Sequence, residues 1–370
     1  MGQQERMRVG LVYGGKSGEH EVSLSTAFAV MQEFNYDKYE IIPFYITKQG
    51  QWRVGDTRHE PFANKEELTL ESGEGRTVQA MAMLFANLDR AASGDAVSSG
   101  VDVMFPLLHG TYGEDGTIQG LFEMANVPYV GAGVLASATG MDKAVMKQLF
   151  THAGLPQCKY TDFIRVQWEK EQDALLAKME AELGYPCFVK PANLGSSVGI
   201  SKARNRQELI EAVQFALRYD RKIVVEEFVD AREIEVSVLG NDEPQGSLPG
   251  EIVSSNEFYD YKAKYLDGKS QMVIPAPIED ALLESIRQMA VTAYRAIDGS
   301  GLSRVDFFVR RSDMQVFINE VNTLPGFTPF SMYPQMWKES GLPYNELLDR
   351  LLQLAMDRFE AKQGLQYENA

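Results

Sequence analysis

Apolar and polar positions along the first hundred residues switch between two periods. Val9 to Tyr13 is a short apolar run that reads as a strand. Glu21 to Phe34 carries apolar residues at helical spacing, and Ile41 to Ile46 returns to a strand. Strand, helix and strand in that order form a βαβ unit, which predicts a parallel sheet within an α/β fold. From about Asn64 to Gly100 the chain is polar and broken by Gly and Ser, and it reads as partly helical with exposed loops and no chemistry. Val101 to Leu107 is the next strand and runs into His109-Gly110-Thr111-Tyr112-Gly113-Glu114-Asp115-Gly116. Ligands in open α/β sheets gather at the carboxyl ends of strands, so this loop is a candidate substrate wall. Helices around Met141 to His152 and Lys170 to Leu183 flank a second region that ends near Ile223 to Val229. A third region follows from Ala231. Within it Glu251 to Pro277, full of Tyr, Lys and Asp, has the length of a functional lid rather than of a plain connection.

Near the C-terminal end, Val305 to Val309 and Gln315 to Val321 alternate with period two around Arg311-Ser312-Asp313, the pattern of a β-hairpin. A turn centred on Asp313 sets Asp306 opposite Glu320 and Arg304 opposite Asn322, with Cβ atoms ~4.5–5.5 Å apart on one face. A two-residue turn at Ser312-Asp313 would instead send the two acids to opposite faces. Opposed carboxylates repel unless a cation lies between them. An oxygen-only set of Asp306, Glu320 and Asn322 suits Mg²⁺ bound together with substrate phosphates; the plain alternative is a solvated strand face.

A second pattern supplies the phosphate site. Phe188-Val189-Lys190-Pro191 leads into Ala192-Asn193-Leu194-Gly195-Ser196-Ser197-Val198-Gly199, and the chain resumes as Ile200-Ser201-Lys202. Glycines let backbone approach an anion, successive N–H groups form a concave nest, and serine hydroxyls add donors. Lys190 brings the charge. A bare Gly/Ser loop is usually an ordinary turn; the lysine and the acid set strengthen this one.

Gly10-Leu11-Val12-Tyr13-Gly14-Gly15-Lys16-Ser17 also satisfies the Walker A pattern. Such a loop must wrap the phosphate after its strand has ended, yet Leu11-Val12-Tyr13 is the strand itself. The loop proper is Gly14 to Gly18, and it delivers Glu19 to the first turn of the next helix. There the carboxylate either receives a substrate ammonium or complements the helix dipole, worth ~0.3–1 kcal/mol.

Composition narrows the classes. The chain has 370 residues, 44% hydrophobic and 24% charged, so it is globular and long enough for two or three domains. A net charge of −16 argues against nucleic acid or an anionic membrane as partner. Cys158 and Cys187 have no metal-type spacing and suit a reduced cytoplasm as buried hydrophobes. No signal-peptide segment or bilayer-spanning run is present in the sequence.

Five stretches together resemble the D-alanine:D-alanine ligase family. They are Gly14 to Ser23, His109 to Gly116, Gly195 to Gly199, Phe258-Tyr259-Asp260-Tyr261-Lys262-Ala263-Lys264-Tyr265, and Asn319 to Gly326. The resemblance implies a three-domain ATP-grasp fold: residues 1–131 as an N-terminal parallel-sheet domain, 132–230 as a central part with the phosphate loop, and 231–370 with the lid and the Mg²⁺ site. It further implies cytoplasmic synthesis of D-alanyl-D-alanine for peptidoglycan, from ATP and D-alanine, by a homodimer.

By the same resemblance Asp306, Glu320 and Asn322 hold two Mg²⁺ ions, for which Mn²⁺ can substitute. Arg304 stabilises the transferring phosphoryl group. Lys143, Lys190 and Ser197 bind ATP phosphates; Glu226, Phe228 and Val229 meet adenine, and Glu233 the ribose. Glu227 stands where some members carry lysine. Glu19 takes the first ammonium and is linked through Ser196 to Tyr265, with His109 nearby. Gly326, Ser331 and Met332 surround the second carboxylate, and Lys264 reaches the phosphates from the lid. A D-alanine:D-lactate ligase is the nearest alternative, disfavoured by the intact Tyr259 to Tyr265 run. A P-loop nucleotide binder using Lys16 is the alternative from another class.

Overall fold

The computed structural model describes residues 6–70, 76–93, 100–253 and 271–366. Three sheets follow one another along the chain. In the first, β1 (Met7–Gly14) pairs in parallel with β2 (Tyr39–Ile46) and with β4 (Val103–Pro106), while β3 (Trp52–Val54) adds an antiparallel edge. Helix α1 (His20–Glu33) makes the crossover from β1 to β2, as the βαβ reading predicts. A 3-10 turn at Lys65–Leu68 and α2 (Arg76–Ser93) occupy much of the polar stretch before β4. Helices α3 (Thr117–Met124), α4 (Val134–Met141) and α5 (Lys143–His152) follow.

The second sheet is antiparallel, in the order β5 (Tyr160–Ile164), β8 (Lys222–Glu227), β6 (Cys187–Pro191) and β7 (Ser201–Ala203). Helices α6 (Arg165–Glu182) and α7 (Arg206–Ala216) cover it, and both cysteines are buried and unbridged. The third sheet runs β12 (Gln271–Val273), β11 (Gly250–Val253), β9 (Ala231–Leu239), β13 (Leu302–Arg310), β14 (Val316–Asn322), with β10 (Gln245–Gly246) beside β9. The stretch read as a lid therefore begins and ends in paired strands, Glu251 opposite Val273 and Val253 opposite Gln271. The central part of that stretch, with Lys264 and Tyr265, lies outside the described residues.

Period-two alternation on β13 divides its side chains cleanly. Val305, Phe307 and Val309 enter a core with Ile286, Ala290 and Tyr294 of α8 (Asp280–Ala296) and with Met146 and Phe150 of α5. Arg304, Asp306 and Phe308 face the other way. Near the C-terminus come α9 (Met332–Glu339) and α10 (Tyr344–Gln363), whose Leu347, Leu348, Leu351 and Leu352 pack into the core of the first sheet. Arg358 of α10 donates to the Tyr129 and Gly131 carbonyls and to Ser300 Oγ, tying the first sheet's far loop to the third region. No helix among the described residues is long and apolar enough to cross a membrane.

Candidate active site

Two adjoining cavities of about 530 and 330 Å³ share Lys143, the Gly195-Ser196 backbone, Glu235 and Glu320, so they form one cleft with two ends. The hairpin carries its floor. Arg304 pairs with Asn322 and Asp306 with Glu320, as a turn centred on Asp313 requires. Near the turn, however, Val309 pairs with Val316 and Phe307 with Ile318, which is the register of a turn centred between Ser312 and Asp313. A bulge at Asn319 makes up the missing residue and brings Glu320 back opposite Asp306, the re-aiming of a side chain for which bulges are suited.

Arg304 donates from Nε and from its terminal nitrogen to the two oxygens of Asp306, both at 2.7 Å, and its Nε lies 3.1 Å from Glu235 Oε2. Burial works against this cation, but Asp306 and Glu235 hold it charged, well above the usual arginine range. Asn322 Oδ1 accepts from Leu324 N at 3.1 Å. Asp306, Glu320 and Asn322 bring carboxylate and amide oxygens to one strand face, a donor set that fits Mg²⁺. Among the described residues no three His, Cys, Asp or Glu side chains cluster as a metal site, so the amide of Asn322 is needed to complete the set.

Lys143 and Lys190 reach the same point from different elements. Asp142 caps α5 by accepting from Ala144 N and Val145 N, both at 3.1 Å, a device worth ~1 kcal/mol, and thereby fixes Lys143 in the first turn. Lys143 Nζ donates to Leu194 O at 2.7 Å and stands 3.9 Å from Glu320. Burial draws its pKa down, partly offset by Glu320. Lys190 Nζ lies 2.8 Å from Glu226 Oε2, and Lys147 Nζ 3.1 Å from Glu226 Oε1. Burial alone would raise the Glu226 pKa, yet the two ammonium groups bring it down to about 2. The loop from Ala192 to Ile200 turns through left-handed Ser196 and Ser197. At Gly199, φ is +76°, and a Cβ would meet Pro191 Cγ at 2.7 Å, so the return to β7 needs glycine.

The smaller cavity is walled by Phe188, Phe228 and Val229, with Ser197, Glu226 and Glu233 around it. The Phe188 and Phe228 rings meet tilted by 43° with centroids 6.2 Å apart, and Lys202 Nζ lies 4.1 Å from the Phe228 ring centroid. Glu227, also on this wall, accepts from Lys159 N at 2.8 Å.

At the larger end Glu19 is the N-cap residue of α1, buried, and its Oε1 accepts from Ser196 Oγ. This bond joins the first sheet to the phosphate loop. Gly110, with φ +73°, passes so close that a Cβ would sit 2.8 Å from Glu19 Oε2. His109 is buried in the same wall, its Nε2 3.4 Å from Thr26 Oγ1, and burial lowers its pKa. Gly326, Ser331 and Met332 line this end, and Ser331 Oγ accepts from Thr328 N at 3.1 Å. Tyr265 and Lys264 lie outside the described residues. Lys16, the Walker-type lysine, is exposed and lines neither cavity.

Two side chains of the cleft, and one buried behind Glu226, were not singled out from sequence. Glu114 sits inside the His109 to Gly116 loop, accepts from Gly110 N, and has its pKa raised to about 8 by burial and then by Glu19. Glu235 shares a strand face with Glu233, the i,i+2 relation that could have found it. Lys147 follows Lys143 by one helical turn, an i,i+4 spacing equally legible.

The two halves of the chain match two family models: residues 8–132 the "D-ala D-ala ligase N-terminus" and residues 149–353 the "D-ala D-ala ligase C-terminus". The chain belongs to the D-alanine–D-alanine ligase family. It is 54% identical over 363 residues to the D-alanine–D-alanine ligase of Bacillus licheniformis, covering 98% of this chain and 99% of that one. It is 53% identical over 366 residues to that of Geobacillus thermodenitrificans, at 98% and 99% coverage. Among solved structures it is similar to the D-alanine-D-alanine ligase from Coxiella burnetii, with TM-score 0.78, 34% identity and 97% of each chain covered. It is also similar to the VanG D-Ala:D-Ser ligase from Enterococcus faecalis, with TM-score 0.77, 36% identity, and 95% and 100% coverage. These ligases have the ATP-grasp fold, and so does this chain.

Proposed function

We propose that this chain ligates two D-alanines to D-alanyl-D-alanine at the expense of ATP, for peptidoglycan, in the cytoplasm and as a homodimer. The reading is carried by the Glu19–Ser196 hydrogen bond, which joins a carboxylate suited to an ammonium with a loop suited to phosphates. A phosphate on one side and an amino acid on the other is what carboxylate activation requires. The three-domain division at 131 and 230 belongs to the same proposal.

A carboxylate does not condense with an amine in water. One oxygen of the first D-alanine carboxylate attacks the γ-phosphorus of ATP, the bond to the β-phosphate oxygen breaks, and ADP departs. The unprotonated amine of the second D-alanine then attacks the acyl carbon; the acyl carbon–oxygen bond to phosphate breaks, phosphate leaves with that electron pair, and the surplus amine proton leaves with it. Glu19 holds the first ammonium, with Ser196 fixing the carboxylate; Tyr265, outside the described residues, keeps the role that the family resemblance gives it. Lys143, Lys190 and Ser197 align the phosphates, and by the family resemblance Lys264, outside the described residues, serves them too. Phe228 and Val229 border the adenine, whose amino group donates to Glu226, and Glu233 accepts from the ribose hydroxyls. Asp306, Glu320 and Asn322 would hold two Mg²⁺ ions, which would supply neutralising charge to the phosphoryl group in transfer. Arg304, half-buried and fixed by two carboxylates, stabilises that group and then the oxyanion, a preorganised charge that costs no rearrangement. Ser331 sits at the N-terminus of α9, where partial positive charge favours the second carboxylate, beside Gly326 and Met332; His109 borders the first substrate. Phosphate release is to be measured with D-alanine alone and with D-lactate or D-serine in competition. Release that requires D-alanine and yields the dipeptide supports the reading; preferential depsipeptide formation, or hydrolysis indifferent to D-alanine, overturns it.

A further inference from the structure

Helix α5 carries two buried lysines one turn apart, and only the first lines the cleft. Lys143 serves the phosphate end. Lys147, one turn and ~6 Å farther along the helix, is 1% exposed with its ammonium 3.1 Å from Glu226 Oε1. It lies 5.3 Å from the ring centroid of Tyr160, which pairs with Glu226 across β5 and β8. Among the described residues Glu226 is its one carboxylate partner. Burying an ammonium this deeply costs several kcal/mol unless it is compensated, so the placement calls for a purpose.

The other oxygen of Glu226 is held by Lys190 at 2.8 Å. Lys190 has two claims on it: this carboxylate and the phosphates of ATP. When ATP arrives, the Lys190 ammonium turns toward the phosphates and weakens its hold on Glu226. A carboxylate left alone in that buried pocket would take up a proton. It would then present a donor, where the adenine amino group needs an acceptor. We propose that Lys147 is a positioning residue for nucleotide choice, a permanent counter-ion that keeps Glu226 an acceptor for adenine while Lys190 serves the phosphates. The inference rests on the adenine role of Glu226 proposed above. The titratable and charged groups facing Glu226 are Lys147 from α5, Lys190 from β6, Tyr160 from β5, Cys158 before β5, and Lys143 at greater range. Lys147 and Lys190 together hold its carboxyl far below the ordinary range.

The test compares kcat/KM for ATP and for inosine triphosphate, which carries a carbonyl oxygen in place of the adenine amino group. An ionised Glu226 repels that oxygen; a protonated one donates to it. Lys147→Met keeps the length and the packing but removes the charge. In that variant the preference for ATP over inosine triphosphate should fall about tenfold or more near pH 6. It should recover toward pH 9, because loss of the cation raises the Glu226 pKa and high pH restores the acceptor. Lys147→Arg should retain the preference, and Lys147→Met should add nothing in a Glu226→Gln background. Equal losses with both nucleotides at every pH, or loss of the preference in Lys147→Arg as in Lys147→Met, would leave only a packing role and overturn the inference. If Glu226→Gln itself leaves the preference intact, the adenine reading falls and takes this inference with it. Circular-dichroism melts accompany each variant, and Lys147→Gln carries the same expectation should Lys147→Met fail to fold.

Discussion

Two glycine-rich loops follow strands in this chain, one after β1 and one after β6, and they look alike as text. Each has glycine, serine and a lysine. In space they serve opposite charges. The Gly14 to Gly18 loop uses its donors internally: Gly14 N donates to Ser23 Oγ and Gly15 N to Ile46 O, both at 2.8 Å. Its lysine points to solvent, and it ends on the buried carboxylate of Glu19. The Ala192 to Ile200 loop is entered by the buried Lys190 and turns through left-handed serines beside Lys143. One loop thus ends in a negative group and the other begins with a positive one. A pattern match counts residues, whereas the ligand is decided by where the strand ends and which charge is desolvated there.

The largest effect expected from this contrast lies at the hairpin beside the second loop. Asp306→Asn or Glu320→Gln should lower D-alanine-dependent phosphate release by roughly 10²–10³-fold or more, since a lost charge at a phosphoryl-transfer centre removes transition-state stabilisation. Circular dichroism should report an intact fold. Near-normal turnover of both variants at saturating Mg²⁺ would move the phosphates away from the second loop. Next in size is Lys190→Ala. A charge-assisted hydrogen bond is worth ~1.5–3 kcal/mol, so kcat/KM for ATP should fall about ten- to a hundredfold.

The third effect concerns the charge at the end of the first loop. Glu114 and Glu19 converge on Gly195, where a Cβ would lie 4.0 Å from the one and 3.8 Å from the other. Glu114 is protonated in the folded protein up to a pKa of about 8, above its ordinary value of 4.5. In the unfolded chain it ionises near the ordinary value, so its contribution to stability is greatest below that range and is lost as the pH rises to about 8. Glu114→Gln removes this slope. Relative to the parent, the variant should gain in melting temperature between about pH 5 and pH 8, a few degrees in all. A parallel pH dependence of the two proteins would place the proton elsewhere.

The contrast also marks how far sequence reasoning reaches. The βαβ unit, the second loop and the opposed acids were legible because each rests on periodicity or on a turn residue with a local cause. The route to Asp306 opposite Glu320 was not. The turn alone sets a register one residue away, and the bulge at Asn319 restores it; nothing in Phe317-Ile318-Asn319-Glu320 announces a bulge. Glu114, Glu235 and Lys147 escaped for another reason. Their roles come from partners more than fifty residues distant, such as Glu226 for Lys147 and Arg304 for Glu235. The strands at the ends of the lid segment were missed for a like reason, because β11 and β12 are short and their pairing depends on the fold around them.

The smallest effect is the one that most directly tests the contrast. Lys16 completes the Walker pattern, so a P-loop reading demands that Lys16→Ala abolish nucleotide use. The structure leaves the side chain exposed, with its stem over the turn at Gly50, where a Cβ would stand 3.7 Å from Lys16 Cδ. An exposed lysine with no substrate contact costs little to truncate, within about ±0.5 kcal/mol, which is roughly a twofold change in KM for ATP. Its nearest influence is on Glu19, three residues on, whose backbone N–H donates to Ser17 Oγ at 3.2 Å. A shift of a few-fold in the D-alanine concentration dependence is therefore compatible with the assignment, because it would act through the ammonium site. ATP and D-alanine titrations of Lys16→Ala and Lys190→Ala, run side by side, separate the cases. A strong loss of ATP affinity in Lys16→Ala with Lys190→Ala unaffected would return the phosphates to the first loop and reverse the two roles.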